Sequence, residues 1–255
     1  FYNTNSSINS FTASLIRDVD LQVNSTTFQF IDMSGREGTD SLTNIEEISF
    51  GSGVYKVVLA PAFSFGVPTN GGVGNDIIVG DDSTLITNEI LVGDYAGGAP
   101  ISTAGNDVIF AGTGDDTLIG DNLEQPPSIA GNDILYGGSG NDNAKYKDPY
   151  TAFVFTYIGD TDGSAGPRNA STFQMSSFQS GTDVLTDIEK LVFQDTSSNA
   201  WTIVGLSAVN GAGAVNLIGL YNDNEIILGF NGDDTLIGDS NSLQSFASND
   251  ILIGG

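Results

Sequence analysis

A nine-residue unit recurs along this chain of 255 residues. It has Gly at the first or second place, Gly at the fourth, Asp at the sixth, and then a triplet with an apolar centre. Its regular copies are GGVGNDIIV (71–79), AGTGDDTLI (111–119), GGSGNDNAK (137–145) and GFNGDDTLI (229–237). Longer versions, in which a Gly-Asp pair and inserted residues come first, end in NEILV (88–92), GNDVIF (105–110), GNDILY (131–136) and SNDILI (248–253). The repeat predicts stacked copies of one small structural unit.

The chemistry of this unit predicts an all-β repeat fold. Its first six residues reverse the chain in a small space, for which glycine supplies positive φ and leaves room. The triplet then runs as a short strand whose central residue, such as Leu118, faces inward, and two units complete a flattened coil. Helix signals are weak because Gly, Asn, Thr and Ser dominate. Residue types that tolerate left-handed geometry precede the sixth-place Asp, namely Asn75, Asn106, Asp115, Asn132, Asn141, Asp233 and Asn249.

A second, coarser repeat divides the chain into four stretches. GTDSLTNIEEISF (38–50) matches GTDVLTDIEKLVF (181–193), with weaker similarity upstream (26–30 to 171–175) and downstream (55–59 to 201–205). We therefore expect a β-rich first spacer (1–70), a first array (71–145), a duplicate second spacer (146–215) and a second array (216–255). Because the second array stops in mid-motif, we expect it to be truncated.

The apolar residues of the spacers allow two interpretations. Their spacing suits either an amphipathic helical turn followed by a strand or one rung of a solenoid, and we favour the rung because β-rich neighbours would stack on it. The residues concerned are Leu42, Ile45, Ile48 and Phe50, with Leu185, Ile188, Leu191 and Phe193 in the duplicate. We expect the aromatic residues Phe28, Phe50, Phe153, Phe193 and Trp201 to form spacer core instead of a binding platform.

Composition excludes several classes of function. With 32 acidic and 7 basic residues the formal net charge is −25, so nucleic acid and anionic membrane surfaces are poor partners. The chain has no Cys and no His, which excludes zinc fingers, thiol catalysis and Ser-His triads within it. No apolar run is long enough to predict a membrane span. Any metal site must use oxygen ligands, and calcium tolerates the irregular, carbonyl-rich sites of turns.

Stacking the repeats would bring their carboxylates together. Residues 71–145 contain ten Asp and two Glu but one Lys. A cation between the turns would turn this repulsion into attraction, and backbone carbonyls would complete a cage of about six oxygens. A single Gly-Asn-Asp is ordinary turn chemistry, but its repetition in a fixed frame favours metal ligation.

This frame resembles the G-G-x-G-x-D-x-U-x signature of the RTX (repeats-in-toxin) proteins. The spacers resemble the GTD-x-L-x-x-I-E-x-U-x-F segments that interrupt RTX arrays in large secreted bacterial proteins. The resemblance implies parallel β-roll, or β-solenoid, arrays interrupted by β-rich spacers. It also implies several Ca²⁺ ions, folding coupled to their binding, and a secreted, extracellular or cell-surface bacterial protein. Affinities of about 10⁻⁴ to 10⁻³ M would suit such a module.

The resemblance also implies which residues form the metal sites. Counting turns places Asp76, Asp107 and Asp133 on one edge of the roll, and Glu89, Asp116 and Asp142 on the other. The aspartates of the Gly-Asp pairs before the inserted loops either reach a calcium ion or cap these loops. They are Asp81, Asp94, Asp121 and Asp239. The predicted metal-site residues are otherwise Gly71, Gly74, Asp76, Glu89, Asp107, Gly112, Gly114, Asp116, Asp133, Gly138, Gly140, Asp142, Glu225, Gly232, Asp234 and Asp250.

Three functions are consistent with these features. The first, which we favour, is a non-catalytic, secreted structural module of a surface layer, adhesin, filament or matrix, which self-associates or continues into further repeats. A glycan or cell-surface partner is compatible with it. The second is a calcium-binding accessory domain of a secreted protease, lipase or alginate epimerase, with the catalytic domain outside this chain. The third is an enzyme that uses paired carboxylates on a polysaccharide, but nothing distinguishes one pair.

Overall fold

The computed structural model describes residues 11–16, 27–32, 39–50, 53–60, 67–80, 88–96, 102–121, 123, 129–160, 171–193, 200–205, 216–218, 225–228, 235–237 and 251–253. The strands up to the end of the first array are β1 (Phe11–Ile16), β2 (Thr27–Asp32), β3 (Thr39–Thr43), β4 (Glu47–Phe50), β5 (Gly53–Leu59), β6 (Thr69–Gly72), β7 (Asp76–Val79), β8 (Ile90–Asp94), β9 (Val108–Thr113), β10 (Thr117–Ile119), β11 (Ile134–Ser139) and β12 (Asn143–Tyr146). After a 3₁₀ turn (Tyr150–Ala152) follow β13 (Val154–Asp160), β14 (Ser171–Ser177), β15 (Gly181–Thr186), β16 (Lys190–Phe193), β17 (Ala200–Gly205), β18 (Asn216–Ile218), β19 (Glu225–Leu228), β20 (Thr235–Ile237) and β21 (Ile251–Ile253). The predicted all-β class is confirmed.

Successive strands of the first array alternate between two parallel sheets. The first roll sheet contains β7, β9 and β11 in parallel, and the second roll sheet contains β6, β8, β10 and β12 in parallel. One coil therefore takes one strand from each sheet, as expected if two repeat units complete a coil. This alternation leaves a turn at each of two edges of the roll.

The core between the two roll sheets consists of the central residues of the triplets. They pack in one cluster with at most 1% of their surface exposed: Ile78, Leu91, Ile109, Leu118, Leu135 and Ala144. Burial of each Ile or Leu contributes about 1.5 to 3 kcal/mol relative to an exposed position. The inward position predicted for Leu118 is confirmed.

The first roll sheet is buried on its outer face as well. Strands β1, β2 and β3 form an antiparallel sheet whose Phe11, Phe28 and Phe30 join a cluster with Ile77 and Phe110 of the roll. The rings of Phe11 and Phe30 stack with centroids 4.6 Å apart. Because both faces are covered, strands such as DIIV and DVIF are apolar at nearly every position.

The two spacers share strand pairing but not placement. In each, three antiparallel strands precede an antiparallel pair, β4 with β5 and β16 with β17, whose second strand then pairs in parallel with the next array. Equivalent residues, Asn44 and Asp187, both have φ of 54°. In the second spacer, however, β15 pairs with β11 and β16 with β12, so this segment extends both roll sheets. The boundaries of the four stretches remain a prediction.

The rung interpretation is confirmed for the second spacer, in which Leu185, Ile188, Leu191 and Phe193 lie in the roll core. It is wrong for the first spacer, because β3 lies in the covering sheet and its Leu42 packs in the outer cluster. The predicted burial is found for the aromatic residues Phe28, Phe50, Phe153 and Phe193. The side chain of Trp201 lies outside the described residues. The described residues include no helix that is long and apolar enough to cross a membrane.

Candidate metal centre

The sixth-place acids stack in two columns, one at each edge of the roll. In the first column the backbone N–H of Asp76 donates to Oδ1 of Asp107 (2.8 Å), and that of Asp107 donates to Oδ1 of Asp133 (2.8 Å). In the second column Glu89 donates in the same way to Asp116 (2.7 Å), and Asp116 to Asp142 (2.8 Å). Counting turns predicts two sets of acids, one at each edge. The structure brings the members of each set together in one column.

Each column contains buried carboxylate oxygens without a hydrogen-bond partner. Among the described residues, this holds for the Oδ2 atoms of Asp76, Asp107, Asp133 and Asp142. All four residues are at most 1% exposed. Burying an ionised oxygen without a partner is costly, and a hard cation is the partner that carboxylate and carbonyl oxygens suit best. The donor set of the columns therefore fits calcium.

Glycine keeps space open beside these oxygens. A Cβ at Gly71 would lie 2.6 Å from Oδ2 of Asp76 and 2.6 Å from the carbonyl oxygen of Gly93. A Cβ at Gly93 would collide with Oδ2 of Asp107 and with the carbonyl of Gly120. At each position a carboxylate oxygen and a carbonyl oxygen from the next coil converge on one small space. Gly71 is among the residues predicted for the metal sites, whereas Gly93 and Gly120 are not.

The other predicted glycines shape the turns that carry the columns. Gly74 and Gly112 have φ of 101° and 97°, a left-handed region that other residues rarely adopt. A side chain at Gly138 would collide with the carbonyl of Gly112, and one at Gly140 with the carbonyl of Gly114. These glycines therefore allow successive turns to stack closely.

Comparison with known families agrees with this geometry. A model of the RTX calcium-binding nonapeptide repeat matches the chain in four copies, over residues 101–122 and 130–144. The chain carries RTX repeats. Such repeats bind calcium in general, so the chain contains a calcium-binding module. A search of curated proteins finds no match to the chain. The matched RTX repeats include Asp107, Asp116, Asp133 and Asp142.

The residue before each sixth-place Asp in the RTX repeats has a role that we did not expect. The expectation of left-handed geometry at these positions is wrong. In the described ranges, the non-glycine residues with positive φ are Asn44 and Asp187. Instead, their side chains accept bonds from the next coil: Asn75 Oδ1 from the N–H of Asn106 (2.8 Å) and Asn106 Oδ1 from that of Asn132 (2.8 Å). On the other edge, Asn88 accepts from Asp115, and Asp115 from Asn141, both at 3.0 Å. Asp233 and Asn249 lie outside the described residues.

The acids of the Gly-Asp pairs cap the loops inserted into the RTX repeats. Asp94 Oδ2 accepts from the N–H of Gly105 (2.8 Å), and Asp121 Oδ1 accepts from that of Gly131 (3.1 Å). Asp94 is fully buried and its Oδ1 has no hydrogen-bond partner, which leaves an oxygen for a cation. Capping is therefore found for both acids, and ligation by them remains a prediction. Asp81 and Asp239 lie outside the described residues.

Burial raises the pKa values of the column acids. It is the main cause that raises the pKa of Asp107 to about 9, and the charge of Asp94 adds to it. Burial also raises the pKa of Asp142 to about 8 and that of Asp133 well above its usual range. For Asp76 the pKa rises to about 6, because burial outweighs the charge of Lys56, whose Nζ donates to the Gly71 carbonyl (2.5 Å). Without a cation, Asp107, Asp133 and Asp142 therefore favour the protonated form near neutral pH, whereas Asp76 is mostly ionised there.

Two column residues were missed because they lie in the second spacer. Asp183 Oδ1 accepts from the N–H of Asp133 (2.9 Å), and Glu189 Oε2 accepts from that of Asp142 (2.7 Å). A signal was present in the sequence, since GTDVL (181–185) has the frame of GNDIL (131–135), and EKLV (189–192) that of EILV (89–92). The first column therefore comprises Asp76, Asp107, Asp133 and Asp183, and the second Glu89, Asp116, Asp142 and Glu189.

Side chains alone do not form a complete metal site in the described part of the chain. No group of three or more Asp, Glu, His or Cys residues there could hold a metal ion. Carbonyl oxygens such as those of Gly93 and Gly120 would therefore have to complete each site. The predicted residues Gly232, Asp234 and Asp250 lie outside the described ranges. Glu225 begins β19, and only its backbone is described.

Proposed function

We infer that this chain is a secreted, non-catalytic structural module that folds and becomes rigid when calcium binds. One observation carries the proposal: the columns hold buried carboxylate oxygens, at Asp76, Asp107, Asp133 and Asp142, with no hydrogen-bond partner in the described structure. Each of these acids forms a hydrogen bond to a neighbouring coil, through a carboxylate oxygen or its backbone N–H. The columns therefore hold the coils in register. The roll itself would then depend on the cation.

Electrostatics supports coupling between folding and calcium binding. Unfolded, the acidic chain keeps its carboxylates apart and hydrated, with a formal net charge of −25. Folded, it stacks them in two columns, and the charge of Lys56 acts on Asp76 at one end of the first column. An ion that binds only the folded state stabilises it by RT ln(1 + [Ca²⁺]/Kd), or about 2.7 kcal/mol at 100 times Kd. Several such ions would make folding steeply dependent on calcium.

Burial of the column acids supports a non-catalytic role. Asp107, Asp116, Asp133 and Asp142 are at most 1% exposed, so a polysaccharide could not reach them without unfolding of the roll. Their environments are also alike, whereas glycoside hydrolysis needs an acid and a base that differ in environment and face a common cleft. Calcium binding outside the cell, where the ion is abundant, fits the range of affinities of extracellular modules.

Self-association through the ends of the roll belongs to the same proposal. Within the described residues, β6 and β21 are the terminal strands of the second roll sheet. Terminal strands present backbone groups that can pair with another copy. Light scattering with millimolar calcium should show particles larger than the monomer. Monomers alone, over a wide concentration range, would contradict this part of the proposal.

Circular dichroism during calcium titration tests the proposal. We expect a cooperative gain of β signal on adding calcium to chelator-treated protein, and its loss when chelator is added again. Magnesium at the same concentration is the matched control, since its smaller, near-octahedral shell suits these carbonyl-rich turns poorly. A β signal that is unchanged by chelation would falsify the proposal.

A further inference from the structure

We propose that the second spacer forms a calcium site of its own with the last repeat of the first array, from the carboxylates of Asp142 and Glu189 and the backbone carbonyl of Asp187. The inference rests on calcium binding by the repeats and adds a site beyond them. Residues 187 and 189 lie outside the segments that match the RTX repeat, which end at residue 144.

The first observation concerns Asp142, which is fully buried and has an Oδ2 atom without a hydrogen-bond partner. This oxygen lies beside Gly137, where a Cβ would be 2.7 Å away from it. The carbonyl oxygen of Asp187 approaches the same space from the next coil and would collide with that Cβ. A carboxylate oxygen and a carbonyl oxygen thus converge here.

The same pair of oxygens occurs within the repeats. Beside Gly71 they are Oδ2 of Asp76 and the carbonyl of Gly93, and beside Gly93 they are Oδ2 of Asp107 and the carbonyl of Gly120. In the spacer, Asp187 follows Thr186, which pairs with Tyr136, so that Asp187 lies next to Gly137 in the sheet direction. Asp187 therefore supplies the carbonyl that a repeat residue supplies in the other coils.

Glu189 provides the second carboxylate. Its Oε2 accepts from the N–H of Asp142 (2.7 Å), as Oδ1 of Asp142 accepts from Asp116 (2.8 Å). The N–H of Glu189 in turn donates to the carbonyl of Asp142 (3.1 Å). Two acidic residues one coil apart, with a buried oxygen and a converging carbonyl between them, form the donor set of the proposed site.

The first column ends at Asp183, where a tyrosine takes the place of the glycine found in the other coils. We therefore infer no second site there. Tyr146 follows Gly93 and Gly120 in line across β8, β10 and β12, given the pairings of Leu91 with Leu118 and of Leu118 with Ala144. Its ring is buried in the roll core, where it packs against Phe153 and Phe193. The space that glycine leaves open elsewhere is therefore not repeated beside Asp183.

The number of bound ions tests the inference. We would measure calcium by atomic emission after equilibrium dialysis of the full chain, its Glu189→Gln variant and a Glu46→Gln control. Glu46 occupies the equivalent place in the first spacer but is exposed, and in the described part of the chain the strand that follows it, β4, pairs with β5 alone and lies at the end of its sheet. We expect Glu189→Gln to bind one ion fewer than wild type, and Glu46→Gln to bind the wild-type number.

The outcomes separate this inference from the proposed function. If wild type binds several ions and Glu189→Gln binds as many, the spacer site is wrong while calcium binding by the repeats stands. If wild type binds none, the proposed function itself fails. Should Glu189→Gln not fold, anomalous diffraction from wild-type crystals grown with calcium replaces the count. A peak between Asp142 and Glu189 supports the site, and peaks confined to the repeats overturn it.

Discussion

The backbone N–H of Asp116 donates a 2.8 Å hydrogen bond to Oδ1 of Asp142, one coil further along the roll, while Oδ2 of Asp142 is buried without a hydrogen-bond partner. One oxygen of the carboxylate thus joins neighbouring coils, and the other is left for a cation. The same division holds for Asp107 and Asp133 in the first column. We therefore expect coil stacking and cation binding to depend on the same side chains.

Replacing Asp116 by Asn should weaken calcium-dependent folding. The amide keeps an oxygen that can accept from Glu89, but the charge between Glu89 and Asp142 is lost. We expect the calcium concentration at the midpoint of the β signal to rise by at least about tenfold. Loss of a group that only hydrogen-bonds to a metal ligand already lowers metal affinity by about 10 to 100 times. The matched control is Asp115→Asn, since Asp115 is exposed and its replacement retains the oxygen that accepts from Asn141. Equal midpoints for the two variants would contradict the division of roles between them.

Replacing Gly93 by Ala should fill the space beside the carboxylate of Asp107. The new methyl group would collide with Oδ2 of Asp107 and the Gly120 carbonyl, which we expect to cost about 1 to 3 kcal/mol and to weaken calcium binding. Gly74→Ala is the control for backbone strain, since its Cβ would meet nothing within 4 Å although φ is 101°. Calcium titration of the β signal should show that only Gly93→Ala raises the calcium midpoint. A similar rise in Gly74→Ala would point to strain instead.

Truncating Leu118 should destabilise the calcium-bound roll although Leu118 takes no part in the metal sites. Leu118 is fully buried between the two roll sheets, and Leu→Ala changes in such cores cost about 2 to 5 kcal/mol. Leu252→Ala is the matched control because Leu252 is 47% exposed. Chemical denaturation in saturating calcium gives the free energies of unfolding. A loss at Leu118 no larger than that at Leu252 would show that the inward triplet residues do not form the core.

The calcium-free protein should lose stability as pH rises. Folding raises the pKa of Asp76 to about 6, of Asp142 to about 8 and of Asp107 to about 9, from the usual 3.8. The folded state therefore binds more protons than the unfolded state. The contribution of these acids is fully present below about pH 4 and is lost as pH rises through 6 to 9.

Saturating calcium should reverse this dependence, because the ion binds the deprotonated carboxylates and releases their protons. The β signal between pH 5 and pH 9, in chelator and in calcium, measures the folded fraction and so both trends. A calcium-free β signal that rises over this range would show that the column acids are ionised in the folded chain without calcium.

Much of the roll could be predicted from residues close together in the chain. Within one unit, Gly74 indicates a turn, Asp76 is the acid and Ile78 is the inward residue of the strand. Counting such units was enough to separate Asp107 and Asp133 from Asp116 and Asp142. These features depend on local backbone geometry and on strand periodicity, so the inserted loops do not change them.

The side-chain ladder of Asn75 and Asn106 could not be predicted in this way. Its members are 31 residues apart, and their hydrogen bond exists because two coils stack. Considered within one turn, an Asn before an Asp indicates only a backbone preference. The wrong expectation of left-handed geometry followed from treating the turn in isolation.

By itself, the sequence determined the all-β repeat, the oxygen-only chemistry and the two edges on which the acids lie, because each follows from rules that act within about one unit. Only the tertiary structure decided that Asp183 and Glu189 complete the columns, since their partners Asp133 and Asp142 lie 50 and 47 residues away. Tertiary packing also decided where the first spacer lies. Its Phe11, Phe28 and Phe30 cover the apolar outer face of the first roll sheet, so the two duplicate spacers, despite equivalent strand pairing, bury their apolar residues against different surfaces.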